Sequence, residues 1–363
     1  MSKLLDFQMR KIKEGLVEIF IPIGKKISKK LPVFYNPIME LNRDITILLL
    51  QQFSPMNLCD PLAASGIRAI RFAKELIYKS ITANDINKKA FALIKKNMKH
   101  NKVNFGIYNK DANLMLLESK GFDFIDLDVF GSPNFMLDST CKRIARDGIL
   151  AVTATDTSAL CGTFPKACLR KYWAVPKKDA VMHETGLRIL IRKIQLVAAQ
   201  YDKALTPIFS YSKEHYMRVF LRNEKGKNNV DKILKQHGHF NSVGPVWLGS
   251  LWDKKLASSI YSNALKNKRL NKNKEPVNFL RIIKDESKIN AVGFYDLHDI
   301  CGKNKIQHLQ KREEIINKIK KIGYKASRTH FKGNGIRSDI PYLKLVNILV
   351  STQLGNKYGP GRN

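Results

Sequence analysis

The sequence predicts an α/β fold: a mostly parallel sheet wound with helices on both faces, followed by a second, smaller mixed α/β domain. Three observations carry this. Between residues 57 and 154, five short apolar runs alternate with helical patterns, which implies parallel strands joined by right-handed crossovers. Small or acidic residues follow four of these runs in order, at the strand ends where open α/β sheets bind ligands. At 363 residues the chain exceeds the usual size of one domain, and a hydrophobic share of 44% can fill two cores.

The elements follow from the pattern in order. Residues 14–24 read as a short strand between turn residues, 25–30 as a basic loop, and 38–52 as a buried helix. Strand 57–60 leads to helix 67–78, with Ile67, Ile70, Ala73 and Ile77 on one stripe. Strand 80–84 leads to helix 88–100, with Ala90, Leu93, Ile94 and Met98 inward. Strand 105–109, helix 114–119, strand 122–127, helix 135–146 and strand 148–154 complete the alternation. A long helix at 179–201 precedes two strands, 206–211 and 217–222. The polar break at 225–229 divides the chain into domains 1–223 and 224–363. Beyond it, helical patterns stand at 230–237, 254–267, 278–286, 306–322 and 343–353, and the basic run 266–274 reads as an exposed loop.

The charge narrows the partners. The chain carries 64 Lys+Arg against 31 Asp+Glu, a net charge of +33, which divides into +16 over 1–222 and +17 over 223–363. An excess of this size points to a polyanion, because each neutralised phosphate releases a condensed counterion. A Lys-rich surface suited to heat would also be Glu-rich, and this one is not. The five cysteines, Cys59, Cys141, Cys161, Cys168 and Cys301, show no C-x-x-C spacing and form no even set, which argues against a structural zinc and a disulfide framework. No apolar run approaches a membrane span and the first residues form no signal core, so a cytoplasmic protein is expected.

The chemistry concentrates at the strand ends. Asp60-Pro-Leu-Ala-Ala-Ser-Gly66 closes the first strand and opens a helix. Its small residues allow close backbone approach, but it lacks the full G-x-G-x-x-G of a pyrophosphate site. That leaves room for a smaller nucleoside without phosphate, such as S-adenosylmethionine. Asp85 follows Gly66 by 19 positions, where an acid can accept from ribose hydroxyls, although Asp85 or Asn87 also suits the N-cap of the next helix. Asp111 can accept from an adenine amine, with Ala112 leaving space for the ring. Asp126-Leu-Asp128-Val-Phe130-Gly-Ser-Pro133 then sets an acceptor and an aromatic surface at the end of the fourth strand, fitted to a planar base with an exocyclic amine. Each residue alone could serve turn geometry. The ordered set is what a nucleoside crevice requires.

These stretches, with Val33-Phe-Tyr-Asn-Pro37, Asn42-Arg-Asp44, Ser65–Arg71, Ala83–Asn87, 152–162, 210–221, Gly244-Pro-Val-Trp-Leu-Gly249 and Ser327-Arg-Thr-His-Phe331, resemble the archaeal and eukaryotic tRNA (guanine-26-N2)-dimethyltransferases over nearly the whole chain. The resemblance implies a class I methyltransferase (Rossmann-like) domain with an N-terminal extension, a C-terminal tRNA-binding domain, and transfer of one or two methyl groups from S-adenosyl-L-methionine to N2 of guanine 26. It implies that Arg43, Arg68, Asp85, Asp111 and Ala112 bind the cofactor, beside Asp60 and Gly66 of the loop after the first strand. It also implies that Phe34 and Phe130 sandwich the guanine while Asp128 accepts from its edge. Arg328, His330, Lys332 and Arg337 are expected to grip the tRNA body. Three departures from the family pattern stand out: Val129 in place of Pro, Ala64 in place of the first loop Gly, and His237 and His239 without the cysteines of a zinc site, so no metal is expected. The acid-x-aromatic motif alone also suits guanine N2 in ribosomal RNA or adenine N6 in DNA, and a catalytically silent RNA-binding protein would share the charge.

Overall fold

The computed structural model describes residues 5–24 and 31–357, the last seven of these by backbone alone; the basic run 25–30 lies outside them. Strands β1 (Met9–Glu14) and β2 (Val17–Pro22) form an antiparallel hairpin, so the strand expected at 14–24 is only its second arm. Gly15 turns the corner at φ +59, a left-handed conformation open to glycine. The hairpin is fastened to the rest by amides: Asn97 donates Nδ2 to Phe20 O at 3.0 Å and accepts from Phe20 N at 2.8 Å.

Helix α1 (Glu40–Leu50) then leads into the sheet: β3 (Asn57–Asp60), α2 (Ile67–Glu75), β4 (Ser80–Asn84), α3 (Lys88–Asn101), β5 (Gly106–Tyr108), α4 (Ala112–Glu118), β6 (Phe122–Asp128), α5 (Asn134–Arg143) and β7 (Ile144–Ala154). Two short helices, α6 (Thr157–Leu160) and α7 (Pro165–Tyr172), precede the long α8 (Met182–Ala199) and the closing strands β8 (Lys203–Lys213) and β9 (Tyr216–Lys225). The seven strands are ordered β5-β4-β3-β6-β7-β9-β8; β3 to β7 run parallel and β9 pairs antiparallel to both β7 and β8. This is the mostly parallel α/β sheet that the alternation predicted. The chain first winds outward from β3 to β5, then returns to lay β6 beside β3. That reversal opens a crevice between the carboxyl ends of β3 and β6.

The central strands are buried on both faces: Phe124, Ile125 and Leu127 of β6 and Ile149 to Val152 of β7 are fully inaccessible. Ala90, Leu93, Ile94 and Met98 of α3 face inward as their spacing required. Ile77 does not. Helix α2 ends at Glu75, Leu76 turns to an extended backbone, and Ile77 lies 86% exposed.

The chain passes residue 223 without a break in its apolar core. Helix α9 (Lys227–Leu234), the hairpin β10 (His237–Phe240) and β11 (Val243–Trp247), and helices α10 (Lys254–Lys266), α11 (Lys268–Lys272) and α12 (Lys274–Glu286) bring Val230, Trp247, Ile260, Leu270 and Leu280 into the same cluster as the sheet. The stretch 266–274, expected as an exposed loop, is therefore partly helical. Asn267 and Asn273 cap successive short helices, and Leu270 is 2% exposed. A separate core gathers under β12 (Tyr295–Asp296), α13 (Leu297–Lys303), α14 (Arg312–Lys321), β13 (Ala326–Arg328), β14 (Gly335–Ser338) and α15 (Tyr342–Lys357), around Leu297, Ile315, Ile319, Ile336 and Leu345. No helix among the described residues is long and apolar enough to cross a membrane.

Candidate active site

A cavity of about 440 Å³ occupies the crevice at the carboxyl ends of β3 and β6. Its lining brings together Phe34, Arg43, Asp60, Arg68, Asp85, Asp128 and Phe130, residues scattered over nearly a hundred positions. Backbone topology does the gathering: Asp60 and Asp128 end strands, Asp85 and Phe130 follow them, Phe34 precedes a helix, and Arg43 and Arg68 lie in the first turns of α1 and α2.

Asp128 is the last residue of β6 and its side chain is 25% exposed, so its carboxylate reaches the cavity. Beneath it a ladder of charges is closed to water. Arg218 on β9 grips Asp126 through both oxygens at 2.8 Å, and Arg68 on α2 spans Asp126 at 3.1 Å and Asp128 at 2.5 Å. Asn42 Oδ1 and Thr46 Oγ1 accept from the same Arg68 guanidinium. Burial would raise the Asp128 carboxyl, but Arg68 and Arg218, with hydrogen bonds from Thr153 and Arg68, outweigh it and hold it below the ordinary aspartate range. Asp128 is therefore an ionised, acceptor-only group at neutral pH. Arg218 and Asn42 lie inside stretches that carry the family resemblance, but the sequence assigned neither a role. Their motif neighbours gave a signal, but nothing in the spacing joins Arg218 to Asp126 across 92 residues.

The loop after β3 forms the opposite wall. Gly66 opens α2 at φ +78, and a Cβ there would meet Ile94 Cγ1 at 3.2 Å. Ala64 also adopts a left-handed backbone, φ +46, which a side chain disfavours. It is held by Asp85, whose Oδ2 accepts from Ala64 N at 2.8 Å while Oδ1 accepts from Asn87 N at 2.8 Å. Asn87, not Asp85, caps α3. Asp85 thus keeps lone pairs on both oxygens for a ligand, and burial raises its carboxyl despite the two amides. Asp60, 2% exposed, is pushed by burial up to about 8, with Arg68 pulling down and Asp126 and Asp128 adding to the rise.

The polar lining fits a cationic nucleoside. Three acidic side chains, Asp60, Asp85 and Asp128, line the cavity, and both lining arginines are already tied to acids, Arg68 as above and Arg43 to Glu14 through two contacts of 2.6 Å. Among the described residues, no lining cation is left for a pyrophosphate. Ser65, 1% exposed, lines the same wall, and its Oγ has no hydrogen-bond partner among the described residues. A buried hydroxyl without a partner calls for a ligand atom. Glu14, which sequence reading left in a turn, is the hub of this wall: it also binds Arg71 at 2.9 Å and Tyr35 at 3.0 Å. Burial notwithstanding, Arg43 and Arg71 pull its carboxyl down to about 2.

Asp111 and Ala112 do not line the cavity. Asp111 is exposed and caps α4, accepting from Leu114 N at 3.0 Å, while Ala112 is buried. Both are held beside β4 by Asn84, which bonds Lys110 through its side-chain amide. Phe34 and Phe130 meet edge to face with centroids 4.1 Å apart, too close to admit a base between them in this conformation. Val129 is buried, and Gly131, φ +80, lets the chain turn away behind Phe130.

The expectation for the tRNA grip requires correction at two residues. The Arg337 side chain is wholly buried, bonded to Glu184 at 2.6 Å, to Glu286 at 3.1 Å and to the carbonyls of Ala291 and Gly293. His330 is equally buried, with Nδ1 2.5 Å from Glu286. Neither faces solvent: Arg337 is the buried counter-charge of Glu184 and Glu286, and the His330 ring is hydrogen-bonded to Glu286 and accepts from Ser212 N. Arg328 and Lys332 do lie at the surface, near Glu313 and Asp296.

Comparison with known proteins accords with this geometry. The family model for N2,N2-dimethylguanosine tRNA methyltransferase matches residues 15–242 and 235–350. A tRNA (guanine(26)-N(2)/guanine(27)-N(2))-dimethyltransferase of Aquifex aeolicus is 38% identical, over 92% of this chain and 94% of its own. A tRNA (guanine(26)-N(2))-dimethyltransferase of Pyrococcus abyssi is 37% identical, over 95% of this chain and all of its own. Among solved structures, Trm1 from Pyrococcus horikoshii in complex with S-adenosyl-L-methionine superposes with a TM-score of 0.84 at 36% identity, covering 94% of this chain and 99% of that one.

Proposed function

The chain belongs to the N2,N2-dimethylguanosine tRNA methyltransferase family, and from that premise we propose how its own residues direct methyl transfer from S-adenosylmethionine to N2 of guanine 26 in tRNA. The cofactor supplies a methyl group on a sulfonium, reactive enough for a weak nucleophile. Asp85 takes the ribose with its remaining lone pairs, Ser65 and Asp60 line the methionine end, and the Gly66 turn leaves space for close approach. Asp111 and Ala112, beyond the cavity lining, are the residues we propose for the adenine end. Arg43 and Arg68 act through the carboxylates they hold.

The observation that carries the reading is an ionised carboxylate at the rim of the cavity, fixed from below by Arg68. Guanine N2 is a poor nucleophile because its lone pair is drawn into the ring. Asp128 accepts one amine hydrogen and the carbonyl of Leu127 or Val129 the other, turning the lone pair toward the methyl group. The amine becomes acidic only as it is alkylated, so its proton leaves late, to Asp128 or to water. A lowered Asp128 suits an acceptor that orients better than a strong base. Phe34 and Phe130 swing apart to stack on the extruded guanine, which offsets part of the few kcal/mol that flipping costs.

The decisive experiment incubates unmodified tRNA with labelled cofactor and either wild type or the Asp128→Asn variant, followed by ribonuclease digestion to oligonucleotides and mass spectrometry. Wild type should yield methylated guanosine at position 26. The variant should lose about 100-fold or more in kcat, the scale of a lost electrostatic contact at a reacting group, while cofactor affinity stays within a few fold. Wild-type turnover by the variant would refute this role for Asp128.

A further inference from the structure

A second cavity, of about 620 Å³, opens in the C-terminal part between α12, α14 and β13, and shares no residue with the methyl-transfer site. Its rim carries Arg281 from α12 and Lys288 just beyond it, Lys320 from α14, and Lys325 and Arg328 around β13, against only Asp285 and Glu313. Those two acids are already used: Asp285 lies 3.3 Å from Lys288 and from Lys284, and Glu313 pairs with Arg328 at 2.7 Å. Arg281, Lys320 and Lys325 form no ion pair with any described residue, so three cationic groups converge on one cleft without counter-charge. The floor is apolar, built from Ile289, Ile316 and Ala326, all buried. Tyr324 lines it too, its hydroxyl receiving a hydrogen bond from Lys344 Nζ at 2.8 Å.

Unpaired cations over an apolar, aromatic floor match a nucleotide better than a bare anion. Phosphates meet the rim and a base or ribose face meets the floor and ring. A protein partner would need carboxylates to satisfy the rim and would leave the narrow floor unfilled. We propose that this cleft is a second tRNA contact, holding the backbone phosphates of an unstacked nucleotide through Arg281, Lys320 and Lys325. The inference rests on the tRNA reading above and adds to it the place where the body of the substrate is gripped. It also replaces Arg337 and His330, which are sealed in the interior, with groups that solvent can reach.

The test is the triple variant Arg281→Ala/Lys320→Ala/Lys325→Ala of the full chain, all three being partly or fully exposed. Binding of unmodified tRNA is measured against salt concentration, with cofactor affinity as the control for folding. Three lost phosphate contacts should reduce the slope of log affinity against log salt by about 2 to 3, which at about 0.1 M salt weakens binding about 100-fold or more. KM for tRNA rises accordingly, while kcat at saturating tRNA and cofactor affinity stay at wild-type values. Lys320→Glu alone should move affinity in the same direction. An unchanged slope and affinity, with wild-type methylation of guanine 26 intact, overturns the cleft and leaves the catalytic reading standing. Failure of the wild-type protein to methylate guanine 26 overturns the reading beneath it.

Discussion

At the scale of single residues, the site is shaped by where charge is forced to reside. Asp60 is buried beside two other carboxylates and rises from 3.8 to about 8, while Glu14 falls to about 2 beside two guanidiniums. The two shifts act oppositely on stability. A raised acid favours the folded chain fully below its unfolded value near 4, and that advantage is lost as pH climbs through 8. The stability of Asp60→Asn should therefore fall less than that of wild type between pH 4 and 8, measured by thermal melting across that range; parallel curves would contradict the raised Asp60. Ala64 is the other residue under tension. Its φ of +46 carries a penalty of about 1 to 2 kcal/mol for a side chain, partly recovered by Asp85 and by lower backbone entropy loss than glycine. Ala64→Gly should thus stabilise by about 0.5 kcal/mol in urea titration, and a loss of stability would show that the Cβ contributes packing.

Elements show where local pattern ends and context begins. Strands β3 and β4 and helix α3 lie where periodicity puts them, because apolar spacing and the caps agree. Helix α2 ends three residues before the pattern suggested, and Ile77 was misplaced as a result: the chain must extend at Leu76 to reach β4. The polar run 266–274 became helical because Asn267 and Asn273 cap it on either side and Leu270 found a core to enter, a fact of packing that composition conceals. Only the second arm of the hairpin β1–β2 is legible in the sequence, since β1 is mostly charged, with Met9 and Ile12 its only apolar residues and no alternation to mark a strand. Gly66 is the element-scale test. It caps α2 in the left-handed region, and a Cβ would press on Ile94 and Ile70. Gly66→Ala should destabilise by about 1 to 2 kcal/mol and weaken cofactor binding, read by denaturation and by calorimetric titration; wild-type values for both would contradict a tight turn.

For the whole molecule, one buried cluster ties the sheet to the C-terminal part. Arg337 on β14 holds Glu184 of α8 and Glu286 of α12 together, and Arg188 adds to Glu184. Burial would raise Glu184, but Arg337 and Arg188 bring it down to about 2. Arg337→Ala should lower stability by about 3 to 5 kcal/mol, because Glu286 would lose its buried guanidinium and Glu184 one of its two. Denaturant unfolding checks it, and a change under 1 kcal/mol would show that water reaches the cluster. The net charge of +33 acts at longer range: tRNA affinity should fall steeply with salt, and a flat dependence would remove the electrostatic argument for the partner.

What the sequence determined on its own was the order of the sheet's strands along the chain, the family, and the residues at four strand ends, because a period of two or 3.6 and a turn are local properties. It could not determine which charges face one another. Asp126 and Arg218, Glu14 and Arg43, and Glu286 and Arg337 are separated by 92, 29 and 51 residues, and each pair forms only when the sheet closes and the core excludes water. That exclusion drew Arg337 into the interior as a counter-ion and His330 as a hydrogen-bond partner, and left three ordinary-looking cations to face an open cleft.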